Sequence, residues 1–143
     1  MSEFVEVKTQ DLSGAALDWA TFCAVYTGMQ PTIHVIESTT KVLFAGAKPV
    51  TFPRAVSLSY SGAYGVDCGW NPSGDWDCGG PLIEKYKLDI GAPMENKSGP
   101  WNAATEWGHP NGYRGETPLI AACRAIVSSV LGDTVSVPKG LLS

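Results

Sequence analysis

The sequence predicts an α+β fold: two main α-helices and one short helix packed on a small, mostly antiparallel sheet, joined by long ordered loops. Three observations lead there. Helical periodicity occurs in two well-separated segments, period-two runs of β-branched residues fall in a non-alternating order that disfavours a doubly wound sheet, and 16 Gly with 10 Pro punctuate the chain with turns. A length of 143 residues suits one domain spanning 1–143.

Element by element, Phe4–Lys8 alternates weakly and reads as a short strand. From Ser13 to about Thr27, Ala15, Ala16, Trp19, Phe22, Cys23 and Tyr26 recur at helical spacing, with Gly28 placed to end the helix. After Pro31 the period becomes two. Thr32–Glu37 and Lys41–Ala45 read as two strands of a hairpin turned at Ser38-Thr39-Thr40, with Ala55–Tyr60 as a third strand. Residues 61–80 interleave Gly, Asp, Asn and Pro with aromatics and read as a long ordered loop. Gly80-Pro81 then resembles an N-cap followed by Pro at the first position of a short helix containing Leu82, Ile83 and Tyr86. Lys87–Ile90 and Trp101–Trp107 read as strands, Gly91–Pro100 as a turn-rich connection, and His109-Pro110-Asn111-Gly112 as a turn. The second long helix has Thr117 as N-cap, Pro118 at its first position, and Leu119, Ala122, Cys123, Ile126, Val127 and Val130 along one face up to Gly132. Thr134–Val137 closes the series as a strand.

Composition excludes several function classes. Lys and Arg number 10 against 14 Asp and Glu, with no basic stripe, so a duplex-DNA binder is disfavoured. No apolar run approaches the length of a membrane span, and the N-terminus lacks a signal-peptide pattern, which predicts a cytoplasmic protein. Cys23, Cys68, Cys78 and Cys123 are too few for a disulfide scaffold and read as reduced thiols.

The chemistry-bearing residues form no recognised catalytic pattern. Cys68 and Cys78 sit ten apart in a repeated Asp-Cys-Gly without a Cys-x-x-Cys or His-x-x-x-His pairing, so no metal site is expected. Trp70, Pro72 and Trp76 occupy positions where calcium would need oxygen ligands. His34 reads as a structural histidine in a strand and His109 as a loop residue. Asp75 and Asp77 are candidates for acid–base work, with turn capping as the simpler role. No Gly-x-Ser-x-Gly elbow, Walker motif or other cofactor loop occurs, and no cofactor is expected.

Aromatic residues crowd the loops instead. Tyr64, Trp70, Trp76 and Trp101 offer flat faces for stacking, Gly79, Gly80 and Thr117 mark expected helix N-termini with free N–H groups, and Arg114 and Arg124 are candidate phosphate partners. With Asp75 these residues form the expected ligand site, suited to a small nucleotide-like molecule. Each ring has the alternative of roofing the core, and tryptophan, tyrosine and arginine are equally the residues of a protein–protein interface.

The run Asn71-Pro72-Ser73-Gly74-Asp75-Trp76-Asp77-Cys78-Gly79-Gly80-Pro81-Leu82-Ile83-Glu84 is similar to the signature of the NinX-like family, small proteins encoded in the nin region of lambdoid phages. Val7-Lys8-Thr9 with Leu12 to Ala20, Trp101-Asn102-Ala103, and Thr117 to Arg124 with Gly132-Asp133 resemble the family in the same order. Residues 31–58 are the least recognisable part. The chain departs at Gly74, where Thr is expected, and at Asp77-Cys78, where a small residue followed by Gln is expected.

The resemblance implies a phage or prophage accessory protein made in the infected bacterium. By analogy with phage proteins that sequester immune signals, the expected function is capture of a cyclic-nucleotide or ADP-ribose-derived signal without turnover. The alternative is an adaptor that modulates a host or phage enzyme through an aromatic-rich surface. Rings converging on a concavity would indicate the first and rings spread over a surface the second. A homodimer or higher homo-oligomer is also expected, because Ala121–Leu131 is apolar or small nearly all round and would need burial on most sides.

Overall fold

A computed structural model describes residues 3–93, 100–105 and 112–142. Strand β1 (Phe4–Lys8) leads through a 3-10 turn at Thr9–Asp11 into helix α1 (Gly14–Val25). Leu17, Ala20, Phe22 and Ala24 bury this helix on nearly every side, and the buried Thr21 hydroxyl donates to the Leu17 carbonyl at 2.8 Å. Strands β2 (Thr32–Ile36), β3 (Thr39–Lys41), β4 (Val50–Phe52), β5 (Ala55–Ser61) and β6 (Asp67–Gly69) precede helix α2 (Trp76–Tyr86). Strands β7 (Leu88–Gly91), β8 (Trp101–Thr105) and β9 (Tyr113–Gly115), helix α3 (Pro118–Leu131) and strand β10 (Thr134–Pro138) complete the described elements. Trp107 and most of the expected 91–100 and 109–112 turns lie outside the described residues.

The fold is α+β, but its strands form four small antiparallel sheets rather than one: β1–β10, β2–β5–β6, β3–β4 and β7–β8–β9. Helix α3 lies between α1 and the β7–β8–β9 sheet. Its Cys123, Ile126 and Val127 join Leu17, Phe22, Trp70 and Val137 in the main core, while Ala121 and Ala125 meet Ala103 and Tyr113 in a second cluster. Two layers of the same protomer thus bury Ala121–Cys123 and Ala125–Val127, while Val130 and Leu131 at the end of α3 stand 40% and 36% exposed.

Two elements differ from the sequence reading. The expected hairpin at Ser38–Thr40 does not form, because none of those residues supplies the positive φ of a tight turn. Instead, Thr32–Ile36 pairs with Ala55–Ser59 and Thr39–Lys41 with Val50–Phe52 in one continuous register. Glu37 and Ser38, opposite Arg54 and Pro53, interrupt this long hairpin; proline has no N–H to give the ladder. Its turn is at Phe44–Ala47, where the Ala47 N–H donates to the Phe44 carbonyl at 3.0 Å and Gly46 supplies a φ of +83°.

The short helix also begins five residues earlier than Pro81. Asp75 caps it, accepting the Asp77 N–H at 3.0 Å, so Gly79 and Gly80 are interior residues and Pro81 sits within the helix. A Cβ on Gly79 would approach the Pro72 carbonyl oxygen to 2.2 Å, which explains why a poor helix former occupies that turn.

Candidate functional site

The connection between β6 and α2 is bound to the first half of α1. Trp70 donates its indole Nε1–H to the Asp18 carbonyl at 2.8 Å, and its own N–H reaches the Leu58 carbonyl at 2.9 Å. The Ser73 N–H donates to Asp18 Oδ1 at 2.9 Å. Asn71 then turns the chain, its carbonyl accepting the N–H groups of Gly74 and Asp75 at 3.2 and 2.9 Å. These bonds leave a cleft of 490 Å³ between the start of α1, the middle of β5 and the 69–75 segment. Gly14, Asp18, Leu58, Trp70, Asn71 and Asp75 are among its lining residues.

Asp18 is the unusual group here. It occupies a position in the apolar stripe Ala15–Trp19–Phe22, is buried, and has its carboxyl pushed up from 3.8 to about 6 by desolvation. The backbone and side-chain hydrogen bonds from Ser73 act in the opposite direction and offset only part of that cost. At neutral pH the cleft thus contains a buried, mostly ionised carboxylate, with Asp75 also on its wall. Ser13, before α1, makes no side-chain cap, leaving the first-turn backbone donors beside this cleft without that partner.

The expected site residues do not gather in one place. Trp70 and Asp75 line the cleft, but Trp70 is buried at 5% exposure, edge-on to Phe22, Tyr60 and Tyr26 at 5.3, 5.8 and 5.9 Å between ring centroids. It is a wall rather than an open stacking face. Trp76 is 57% exposed at the first turn of α2, and Tyr64 is fully exposed in the left-handed region at φ +61°. Trp101 packs against the second core cluster. Gly79 and Gly80 provide no helix N-terminus, and the Gly79 N–H is taken by the Asp75 carbonyl at 2.8 Å.

Arg114, Thr117 and Arg124 gather around the start of α3. Thr117 does cap that helix, accepting the Ile120 N–H at 3.2 Å. Arg124, a candidate phosphate partner, is engaged with the backbone. Its Nε donates to the Leu12 carbonyl at 2.9 Å and its Nη1 to the Arg114 carbonyl at 2.5 Å, and burial lowers its pKa. The Arg114 backbone is held by the Gln10 side chain. This arginine therefore staples the 3-10 turn and β9 to α3.

Sequence reasoning missed Asp18, Asn71 and the β5 residues of the cleft. A charged residue within an otherwise apolar helical stripe was the available signal for Asp18; the β5 contribution arises from long-range pairing and carries no local mark. Among the described residues, no group of three or more His, Cys, Asp or Glu is placed to hold a metal ion, and no helix is long and apolar enough to cross a membrane. All four cysteines are free, with the Cys23 and Cys123 thiols pushed up to about 11 and about 12 by burial.

Fold and cleft together define a small α+β protein with a carboxylate-lined concavity at the start of its first helix. Residues 8–129 match the family model described as Bacteriophage P22, NinX. The chain belongs to that phage family. No curated protein sequence matches it.

Proposed function

We propose that this NinX-family protein binds and sequesters a small nucleotide-like ligand, without turning it over, in the cleft between α1, β5 and the 69–75 segment. The observation that carries the reading is the convergence of Asp18, Asp75 and Trp70 on one 490 Å³ concavity, a size in the usual range for small-molecule sites. Two carboxylates present acceptors to the amino and imino donors of a nucleobase edge. The uncapped first turn of α1 offers N–H donors to a hydroxyl or carbonyl oxygen of such a ligand. Recognition then comes from hydrogen bonding more than from stacking, since Trp70 is edge-packed and the other expected rings lie elsewhere. A buried carboxylate kept mostly ionised at a stability cost fits a group held for binding.

The exposure of Trp76 and Tyr64, spread over the surface instead of converging, favours the adaptor as a second reading. Thermal-shift titration with nucleosides, cyclic di- and trinucleotides and cyclic ADP-ribose isomers separates the two. A ligand at 100 times its Kd adds about 2.7 kcal/mol to stability, and Asp18→Asn is expected to abolish that shift while leaving a folded protein. Recovery of the ligand unchanged after incubation supports sequestration. Absence of a shift with every compound, or a shift retained in Asp18→Asn, overturns the cleft assignment.

A further inference from the structure

The hairpin from β2 to β5 stands away from the rest of the molecule: every residue from Thr32 to Ala55 is exposed except the half-buried Ala47. Its distal strands β3 and β4 pair only with each other. Lys41 with Val50 and Thr39 with Phe52 share one face, while the Thr40 and Thr51 hydroxyls meet at 3.1 Å on the other. Beyond Lys41 the chain reads Val42-Leu43-Phe44-Ala45-Gly46-Ala47, without a polar side chain until Lys48. Val42, Leu43 and Phe44 are 57%, 61% and 71% exposed, and Val50 and Phe52 behind them 40% and 42%.

Charge is as uneven as hydropathy. The chain has a formal net charge of −4, yet no Asp or Glu occurs between Glu37 and Asp67, a stretch that contains Lys41, Lys48 and Arg54. Arg54 is occupied by Glu37 at 3.7 Å and by the Gly140 carbonyl at 2.9 Å. The Lys41 and Lys48 ammonium groups have no ion-pair or hydrogen-bond partner among the described residues.

We propose that this tip docks on an anionic lipid surface, with Leu43 and Phe44 among the upper acyl chains and the Lys41 and Lys48 ammonium groups at the level of the phosphates. An apolar insert bracketed by cations satisfies both layers of such an interface. Apolar side chains on both faces of a two-stranded ribbon are not covered by one flat protein partner, whereas a fluid layer surrounds the tip on every side. Val42 to Phe44 extend roughly 10 Å at about 3.3 Å per residue, close to the ~5–10 Å reached by interfacial anchors. The outer edges of β3 and β4 keep N–H and C=O groups that need water or headgroups, and this requirement holds the insertion to that depth. None of the residues lining the α1–β5 cleft lies between 39 and 52, so lipid docking stands or falls apart from the ligand reading.

The test is flotation of the full chain with vesicles of phosphatidylcholine alone and of an equimolar phosphatidylcholine–phosphatidylglycerol mixture. Wild type should float with the anionic vesicles far more than with the neutral ones, and added salt should weaken the binding. Removing each charge, by Lys41→Gln and Lys48→Gln, should weaken it about fivefold. Leu43→Ser with Phe44→Ser should abolish it at unchanged circular dichroism, and Phe44→Trp should retain it, since indole suits the interface. A wild type that stays unbound on anionic vesicles, or a serine double variant that binds them undiminished, overturns the proposal. So does light scattering that finds wild type at twice the 15.2 kDa of one chain and the serine variant at that single mass, because a second copy would then cover the tip.

Discussion

Asp18 shows how one side chain can make stability depend on pH in the direction opposite to most carboxylates. Its folded-state pKa of about 6 lies above the ordinary 3.8, so the folded protein holds a proton that the unfolded chain has released between those values. Its contribution is fully present below about pH 4 and is lost as pH rises through 6, a change of about 3 kcal/mol at 1.36 kcal/mol per pKa unit. Asn cannot ionise, so the stability difference between Asp18→Asn and wild type should grow in favour of the variant from pH 4 to pH 8 in urea titrations. A difference that stays flat over that range would show that Asp18 does not titrate there. The two tryptophans of the β6–α2 connection make a second contrast. Trp70 is packed among three rings, and Trp70→Ala should cost about 3–5 kcal/mol. Trp76 is mostly exposed, so Trp76→Ala should change stability by no more than about 0.5 kcal/mol, and melting curves of the two variants read the difference directly.

Within α2, two adjacent glycines should respond to the same substitution with opposite sign. A methyl on Gly79 would clash with the Pro72 carbonyl and Leu119, and Gly79→Ala should destabilise by about 1–3 kcal/mol. At Gly80 the nearest atom to an added Cβ is Trp76 Cε3 at 3.7 Å, so Gly80→Ala should stabilise by about 0.5–1 kcal/mol through helix propensity alone. Denaturant midpoints of the pair test both. The same two residues show where sequence reading of elements succeeds and fails. Helices α1 and α3 were legible because apolar period, Gly28, Thr117, Pro118 and Gly132 agree with one another. The first turn of helix α2 is not legible, because Gly79-Gly80-Pro81 is a poor helix former locally; the Asp75 cap acts against that propensity. Strands β2 and β5 are legible as strands, but period-two patterning does not name a partner, so the sequence alone points to a turn at Ser38–Thr40 where the chain turns at Phe44–Ala47. In the cleft, Trp70 and Asp75 were found from turn chemistry and aromatic content, whereas β5 enters only through pairing with β6.

Across the whole molecule, the first and last described strands pair with each other: Phe4 opposes Pro138 and Lys8 opposes Thr134. The same junction is reinforced by the Thr9 hydroxyl, which donates to the Gly132 carbonyl at 2.7 Å, and by the Thr9 N–H to the Asp133 carbonyl at 2.8 Å. Arg124 adds a third tie by binding the Leu12 carbonyl from α3. Deleting residues 3–8 should therefore leave Val135 and Val137 uncovered and lower the melting temperature, and a truncated protein that melts like wild type would contradict that role. The pairing also fixes a schedule during synthesis. On a translating ribosome, α1 emerges long before α3 and β10, so Phe22 can first meet Tyr60 and Trp70, and the part of the core supplied by Cys123, Ile126, Val127 and Val137 comes only later. The step that closes this fold is therefore the arrival of α3 and β10, and slow translation through the part of the message that encodes them would prolong the interval in which nascent chains can aggregate.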